Sequence, residues 1–232
     1  PIEYKLVIVD KETLKPISWE KGENRKITNI PYKEEIFVDN TILADFADRA
    51  WRGAGTAIPV FSLRSEDDFG VGEFYDLKKM VDWAASTGQS IVQLLPINDT
   101  TMTHSWEDSY PYNANSTFAL HPQFVNLKAA GVRACPTYKR VQKELNSLEQ
   151  IDYERVNAEK RKFLRRSFDK NFETLSATEE YKTFLKQNKE WLIPYATFCA
   201  LRDEFKTPDF SKWGKYAKYD KRKVSQYYKE NS

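Results

Sequence analysis

The chain has 232 residues, of which 30% are charged and 41% belong to the hydrophobic set, which is typical of a folded protein rather than a disordered one. The 36 basic residues nearly balance the 34 acidic ones, and the net charge of +2 does not indicate a nucleic-acid partner. No apolar run approaches the roughly 20 residues that span a bilayer, so we expect no membrane partner.

Two cysteines, Cys135 and Cys199, lie far apart and neither belongs to a spaced pair. This favours a reducing, cytoplasmic location over a disulfide framework. The two histidines, His104 and His121, have no ligand spacing around them. We therefore expect neither a metal site nor another cofactor.

Residues 1–42 have the pattern of short β-strands. Residues 4–9 form an apolar run rich in β-branched side chains, and strands are also predicted for residues 17–20 and 27–30, with polar turns between them. Two or three strands are too few for a stable module. They should pair with the rest of the protein or form the end of a larger β domain.

A strand, a helix and a second strand are predicted between residues 56 and 97. The strands cover residues 56–63 and 90–97, and Gly88 stands in the position favoured for a left-handed helix cap. The apolar face of the helix contains Leu77, Met80, Val81, Ala84 and Ala85. This order predicts parallel strands joined by a right-handed crossover.

Polar segments follow both strands, at residues 62–65 and 98–101. Ligands gather at the carboxyl ends of strands in such folds. The long loop at residues 100–116 is rich in polar and aromatic side chains, and a loop of this length is usually functional. Its candidates are His104, Trp106, Glu107, Asp108, Tyr110 and Tyr112.

Residues 135–232 are predicted to be helical, with apolar stripes that should face a core. A helix containing Trp191 and Phe205 should end near residues 207–208. The stripes contain Val141, Leu145 and Leu148; Leu164, Phe168, Phe172 and Leu175; and Trp191, Tyr195, Phe198 and Phe205. The basic residues near the carboxyl terminus, Lys215, Lys218, Lys221, Arg222 and Lys223, are interpreted as a solvated helix face.

Several ordered blocks in the middle of the chain resemble a known enzyme family. The blocks are residues 59–65 (PVFSLRS), 68–74 (DFGVGEF), 93–100 (QLLPINDT), 108–112 (DSYPY) and 118–122 (FALHP). They are similar to the opening of the (β/α)8 barrel of glycoside hydrolase family 77, the amylomaltases and disproportionating enzymes. Residues 1–42 resemble the last strands of a family 20 starch-binding domain, which precedes the barrel in one branch of that family.

The resemblance implies an α/β fold, an incomplete TIM barrel with a helical insertion, preceded by the tail of a β-sandwich. Its domains would be residues 1–42, 43–134 and 135–232. It also implies part of a retaining 4-α-glucanotransferase that acts on maltooligosaccharides and on glycogen or starch-like glucans. The two catalytic carboxyls of the family come from later barrel strands, so we expect no catalytic residue in this chain and no activity from it alone.

The resemblance assigns two sets of sugar-binding residues. Tyr112 matches a tyrosine that packs on the donor glucan, and Asp108, Ser109 and Asp99 are expected to bond the sugar hydroxyls. In the amino-terminal part, the starch-binding residues would be Trp19 as a platform, with Lys5 and Asn24 as polar contacts.

Other interpretations stay open at the level of sequence. Asp99, Glu107 and Asp108 follow a strand end and are candidate catalytic carboxylates, although loop capping and substrate hydrogen bonding are favoured. The chain could be a non-catalytic glucan-binding module, or an unrelated α/β domain whose basic end binds a protein or nucleic acid. An unclosed parallel sheet also predicts self-association, because its edges lack partners.

Overall fold

The structure is a computed structural model that describes residues 1–28, 36, 38–46 and 51–231. The chain divides into two compact units, residues 1–53 and residues 54–232. No helix in the described part of the chain combines the length and the apolar character that crossing a membrane requires.

The first unit contains two antiparallel strand pairs. The four strands are β1 (Ile2–Tyr4), β2 (Val7–Val9), β3 (Pro16–Trp19) and β4 (Arg25–Ile27). β1 pairs with β4, and β2 pairs with β3 in a register that sets Val7 opposite Trp19. The described strands of this unit therefore pair with one another.

The single strand predicted for residues 4–9 is wrong, because the chain changes partner at Lys5 and Leu6. Leu6 instead bonds Glu20: its carbonyl accepts from the Glu20 N–H at 3.0 Å, and its N–H donates to the Glu20 carboxylate at 3.4 Å. The strand predicted for residues 27–30 also differs. β4 ends at Ile27, and residues 29–30 lie outside the described residues.

The second unit begins with the predicted strand, helix and strand. β5 (Gly55–Ile58) and β6 (Ile91–Leu94) are parallel neighbours, and α1 (Asp76–Ser86) connects them. Gly88 has φ +73°, and its N–H donates to Ala85 while the next N–H donates to Ala84. These two bonds form a Schellman cap, and the left-handed position of Gly88 was predicted.

Two details of this motif differ from prediction. β5 stops at Ile58, since Pro59 has no N–H for a sheet bond, and a 3-10 helix follows at Val60–Ser62.

The second difference concerns the apolar face of α1. Met80 and Ala84 are buried, but Val81 is 54% exposed and Ala85 is exposed. Two strands of four residues offer too little area to cover the whole predicted face.

Four further α-helices follow in the described part of the second unit. They are α2 (Pro136–Asn146), α3 (Tyr153–Ser176), α4 (Glu179–Phe205) and α5 (Lys221–Asn231). Asp152 and Thr178 accept backbone N–H bonds as the N-caps of α3 and α4. α4 ends at Phe205, two residues before the predicted point, and is capped by Lys206, whose φ of 53° is left-handed.

The predicted apolar stripes are only partly buried. Val141 and Leu145 lie in the core, but Leu148 follows the end of α2 and is 39% exposed. On α3, Phe168 and Leu175 are 47% and 49% exposed. The core instead contains the first half of α3 together with residues of the loops before α1 and α2. Its buried members are Phe69, Val71, Leu127, Val132, Tyr138, Val141, Leu145, Val156 and Phe163.

A buried ion pair crosses this core. The Lys160 ammonium of α3 donates to the Glu73 carboxylate at 2.5 Å and to the carbonyls of Gln123 and Val125 at 2.6 and 2.9 Å. The second oxygen of Glu73 accepts from Asn126 at 2.7 Å. The pair thus joins α3 to the segment before α1 and to the chain that leads to α2.

Candidate functional site

The loop after β6 is closed at its base by a short antiparallel ladder. The Asp99 N–H donates to the Ala119 carbonyl and the His121 N–H to the Ile97 carbonyl, both at 2.9 Å, while Asn98 and Leu120 form a bridge. Residues 99–118 therefore form one loop at the carboxyl end of β6, and we call them the β6 loop. This is the position where ligands gather in parallel α/β folds.

Two carboxylates hold the β6 loop in shape. Asp99 is 1% exposed and accepts from the Thr101 N–H and hydroxyl at 3.0 and 2.6 Å. Asp108 is 6% exposed and accepts from the N–H groups of Thr103 and His104, the latter at 2.7 Å. Both side chains therefore cap loop N–H groups, the role favoured for them over catalysis.

Helix α4 braces the β6 loop from one side. The Tyr195 hydroxyl bonds the second oxygen of Asp99, and Arg202 donates to the Thr101 carbonyl at 2.5 Å. Burial raises the pKa of Tyr195 strongly, and its bond to Asp99 adds to the effect. This phenol therefore stays protonated and acts as a donor.

His104 is held between two charged side chains. Arg161 of α3 approaches Nδ1 at 2.6 Å, and Asp203 of α4 approaches Nε2 at 2.8 Å. Because arginine can only donate, Nδ1 accepts, and a neutral imidazole would donate from Nε2 to Asp203. Burial opposes the charged form of Asp203, but bonds from Arg202 and His104 outweigh it and lower the pKa of this carboxyl.

The outer surface of the β6 loop is aromatic. Tyr110 and Tyr112 are 61% and 62% exposed, and their ring centroids lie 5.7 Å apart with a 49° tilt. Trp106 is 69% exposed, and its backbone N–H donates to the Glu154 carboxylate of α3 at 2.9 Å. Ser109 is half-buried. Exposed rings on a braced loop can stack on the apolar face of a sugar without first becoming ordered.

The four predicted substrate residues thus occupy one loop but lie at different depths. Tyr112 is on its surface, Ser109 is half-buried, and Asp99 and Asp108 lie behind the surface. Sequence reasoning missed Arg161, Arg202 and Asp203 as braces, and it treated Tyr195 only as a core aromatic. The sequence offered one signal for these braces, the charged pair Arg202 and Asp203 within an apolar helical stripe.

The three predicted starch-binding residues all belong to the first unit. Trp19 ends β3 and is 58% exposed. The Lys5 ammonium donates to the Gly22 carbonyl at 2.7 Å, which ties it to the turn that leads to Asn24, an exposed residue. Lys5 is therefore bonded to the turn that immediately precedes Asn24.

Comparison with known proteins gives the family. A family profile described as 4-alpha-glucanotransferase, glycoside hydrolase family 77, matches residues 58–232. The chain belongs to this 4-alpha-glucanotransferase family. The match begins at Ile58, the last residue of β5, and includes α1, β6, the β6 loop and helices α2–α5.

Curated relatives in the 4-alpha-glucanotransferase family are much longer than this chain. The 4-alpha-glucanotransferase DPE2 of Oryza sativa subsp. japonica is 38% identical over 238 residues, which cover 100% of this chain and 25% of the relative. The 4-alpha-glucanotransferase of Chlamydia pneumoniae is 33% identical over 177 residues, which cover 72% of this chain and 33% of the relative. The chain therefore spans a quarter to a third of these two relatives.

A solved amylomaltase structure has a similar fold over most of this chain. Amylomaltase from Streptococcus agalactiae, in complex with acarbose, aligns with a TM-score of 0.61 at 20% identity. The alignment covers 78% of this chain and 36% of the amylomaltase chain. The predicted α/β fold is confirmed at this level.

Proposed function

We propose that the chain is part of a 4-α-glucanotransferase that moves α-1,4-glucan or glucosyl units between maltooligosaccharides and glycogen or starch-like acceptors. The observation that carries the proposal is the exposed ring of Tyr112 on a braced loop at the carboxyl end of β6. The family match and the names of the relatives support the activity. The acarbose complex of the amylomaltase supports an oligosaccharide ligand.

The proposed mechanism is a retaining double displacement. It needs a nucleophilic carboxylate and an acid/base carboxyl about 5–5.5 Å apart, and an acceptor hydroxyl replaces water in the second step. Asp99 and Asp108 already accept several loop N–H and hydroxyl bonds, which leaves them poorly placed to attack a sugar. We propose that both catalytic carboxyls lie outside residues 1–232, and we expect no transfer by the chain alone.

This chain would supply one wall of the donor site. The ring of Tyr112 would cover the apolar face of a glucose unit, and Ser109 would bond its hydroxyls. Asp108 and Asp99, which are 6% and 1% exposed, would reach sugar hydroxyls only where the loop opens around them. The braces from α4 reduce the entropy that binding would otherwise cost, because the loop is ordered beforehand.

The remaining assignments belong to the same proposal. Residues 1–42 would be the tail of a starch-binding β-sandwich that uses Trp19, Lys5 and Asn24, residues 43–134 the first units of an incomplete barrel, and residues 135–232 a helical insertion. The two well-separated cysteines support a reducing, cytoplasmic location. Within the described residues β5 and β6 pair only with each other, and this open sheet supports self-association.

Two measurements on the purified chain test the proposal. In the first, maltotriose and glycogen are incubated with the chain, and glucose release is followed over hours. We expect none. Release that scales with protein and disappears in Asp99→Asn or Asp108→Asn would show that the catalytic carboxylates are here.

The second measurement is maltotetraose binding by titration calorimetry. Loss of a stacking ring should lower affinity about tenfold in Tyr112→Ala. Tyr75→Ala is the matched control, since Tyr75 is 49% exposed but lies at the start of α1. Equal affinity in both variants and the parent chain would refute the role of Tyr112.

A further inference from the structure

A cavity of about 410 Å³ lies between α4, α5, the segment that joins them and two residues of the β6 loop, Asn115 and Ser116. Its volume is within the range of small-molecule sites. We call it the aromatic pocket. It includes neither Tyr112 nor Asp108 among its lining residues.

The walls of the aromatic pocket are formed largely by rings. Trp213 is 4% exposed and is fixed by a bond from its indole N–H to the Thr207 carbonyl at 2.9 Å. Tyr216 also lines the cavity, while Phe210 and Tyr219 are 59% and 70% exposed. The pocket therefore has a rigid aromatic wall and two accessible rings.

Two lining residues have buried oxygen atoms without a hydrogen-bond partner in the described structure. They are Asn115 Oδ1 and Thr197 Oγ1, and Thr197 as a whole is 3% exposed. The amide of Asn115 is oriented by its nitrogen, which donates to the Thr101 carbonyl at 2.9 Å. Its oxygen is therefore the atom left unpaired.

Buried polar groups without partners are rare and costly in folded proteins. Both residues line the pocket. Once its side chain turns toward the cavity, each could bond a ligand that brings hydroxyl groups, because Asn115 Oδ1 needs a donor and the Thr197 hydroxyl can donate or accept. The same ligand needs an apolar face to contact the rings. A pyranose ring has both properties, with hydroxyls at its edge and C–H groups on its face.

We propose that the aromatic pocket binds a glucosyl unit of an α-glucan, in addition to the unit that Tyr112 would contact. The choice of sugar rests on the proposed function, whereas the pocket and its unpaired oxygens do not. Asn115 is part of the β6 loop, so one loop would contact glucan through Tyr112 and through the pocket.

The test is titration calorimetry of the chain and its variants with maltotetraose. Thr197→Val removes the unpaired hydroxyl at nearly constant volume and should lower affinity about threefold to tenfold. Its melting temperature should not fall, because no bond is lost. Tyr219→Ala should lower affinity about tenfold, and Phe184→Ala, which removes a 49% exposed ring of α4 outside the pocket, should have no effect.

The outcomes separate this inference from the proposed function. If only Tyr112→Ala weakens binding, the pocket binds no glucosyl unit, and the inference is wrong while the proposed function stands. If only Thr197→Val and Tyr219→Ala weaken binding, the inference stands and the role of Tyr112 fails. If the parent chain binds no maltotetraose, both are overturned.

Discussion

Replacing Lys160 by methionine should destabilise the second unit by about 3–5 kcal/mol at neutral pH. The side chains of Lys160 and Glu73 are 2% and 1% exposed. Methionine fills most of the space, but it leaves the Glu73 carboxylate buried without its cation. It also leaves the carbonyls of Gln123 and Val125 without the bonds that Lys160 donates at 2.6 and 2.9 Å.

The destabilisation should depend on pH. Burial raises the pKa of Glu73 above its ordinary value of 4.5, and the contacts with Lys160 oppose that rise. In Lys160→Met the opposing contacts are gone, so the pKa of Glu73 rises further. A carboxyl whose folded pKa is raised favours folding at low pH and loses that contribution as the pH rises through the folded pKa. The stability that Lys160→Met loses relative to the parent chain should therefore be largest at neutral pH and shrink as the pH falls toward 4.5.

Urea unfolding followed by far-ultraviolet circular dichroism measures the effect, because the described helices all lie in the second unit. Lys162→Met is the matched control two residues along α3. Lys162 is 60% exposed and pairs with Glu159 on the surface, so its loss should cost about 0–1 kcal/mol. A Lys160→Met chain that unfolds within 1 kcal/mol of the parent, or whose deficit grows at low pH, would refute this reasoning.

Two further predictions concern backbone packing and assembly. A Cβ on Gly72 would overlap the backbone carbonyl oxygens of Val60 and Leu63, so Gly72→Ala should cost about 3 kcal/mol in urea unfolding. In Gly88→Ala the new methyl group meets open space, so the free energy of unfolding should fall only by the left-handed strain, about 1–2 kcal/mol. Equal losses in Gly72→Ala and Gly88→Ala would contradict the difference in packing. Ile91 of β6 is 46% exposed, and a charge there should weaken strand pairing between copies. Light scattering over a range of concentrations should therefore show less association for Ile91→Lys, and a monomeric parent chain would remove the basis for proposing self-association.

Local patterns predicted the parts of the fold that local forces determine. The parallel pairing of β5 and β6 followed from a strand, a helix and a strand in order, and the end of α1 followed from Gly88. The position of the β6 loop at a strand end followed from the same motif. Each of these features depends on neighbouring residues or on a short crossover, and such features can be inferred from one sequence.

Long-range contacts could not be inferred in this way. Helical periodicity places Lys160 on the same side of α3 as Val156 and Phe163, but it does not reveal that Glu73 lies opposite. Similarly, the stripe that contains Phe168 and Leu175 has the spacing of a core face and is half exposed. Periodicity identifies a face, whereas burial depends on whether another element covers it.

The braces of the β6 loop have a consequence for synthesis on the ribosome. Its bonds to Tyr195, Arg202 and Asp203 span 96, 101 and 99 residues of sequence, and the partners all belong to α4. At about 5–20 residues per second, translation of that interval takes about 5–20 s. During this time the nascent loop has its capping aspartates but not its partners in α4. Asp99, Thr101 and His104 therefore gain their bonds to α4 only after α4 has left the ribosome.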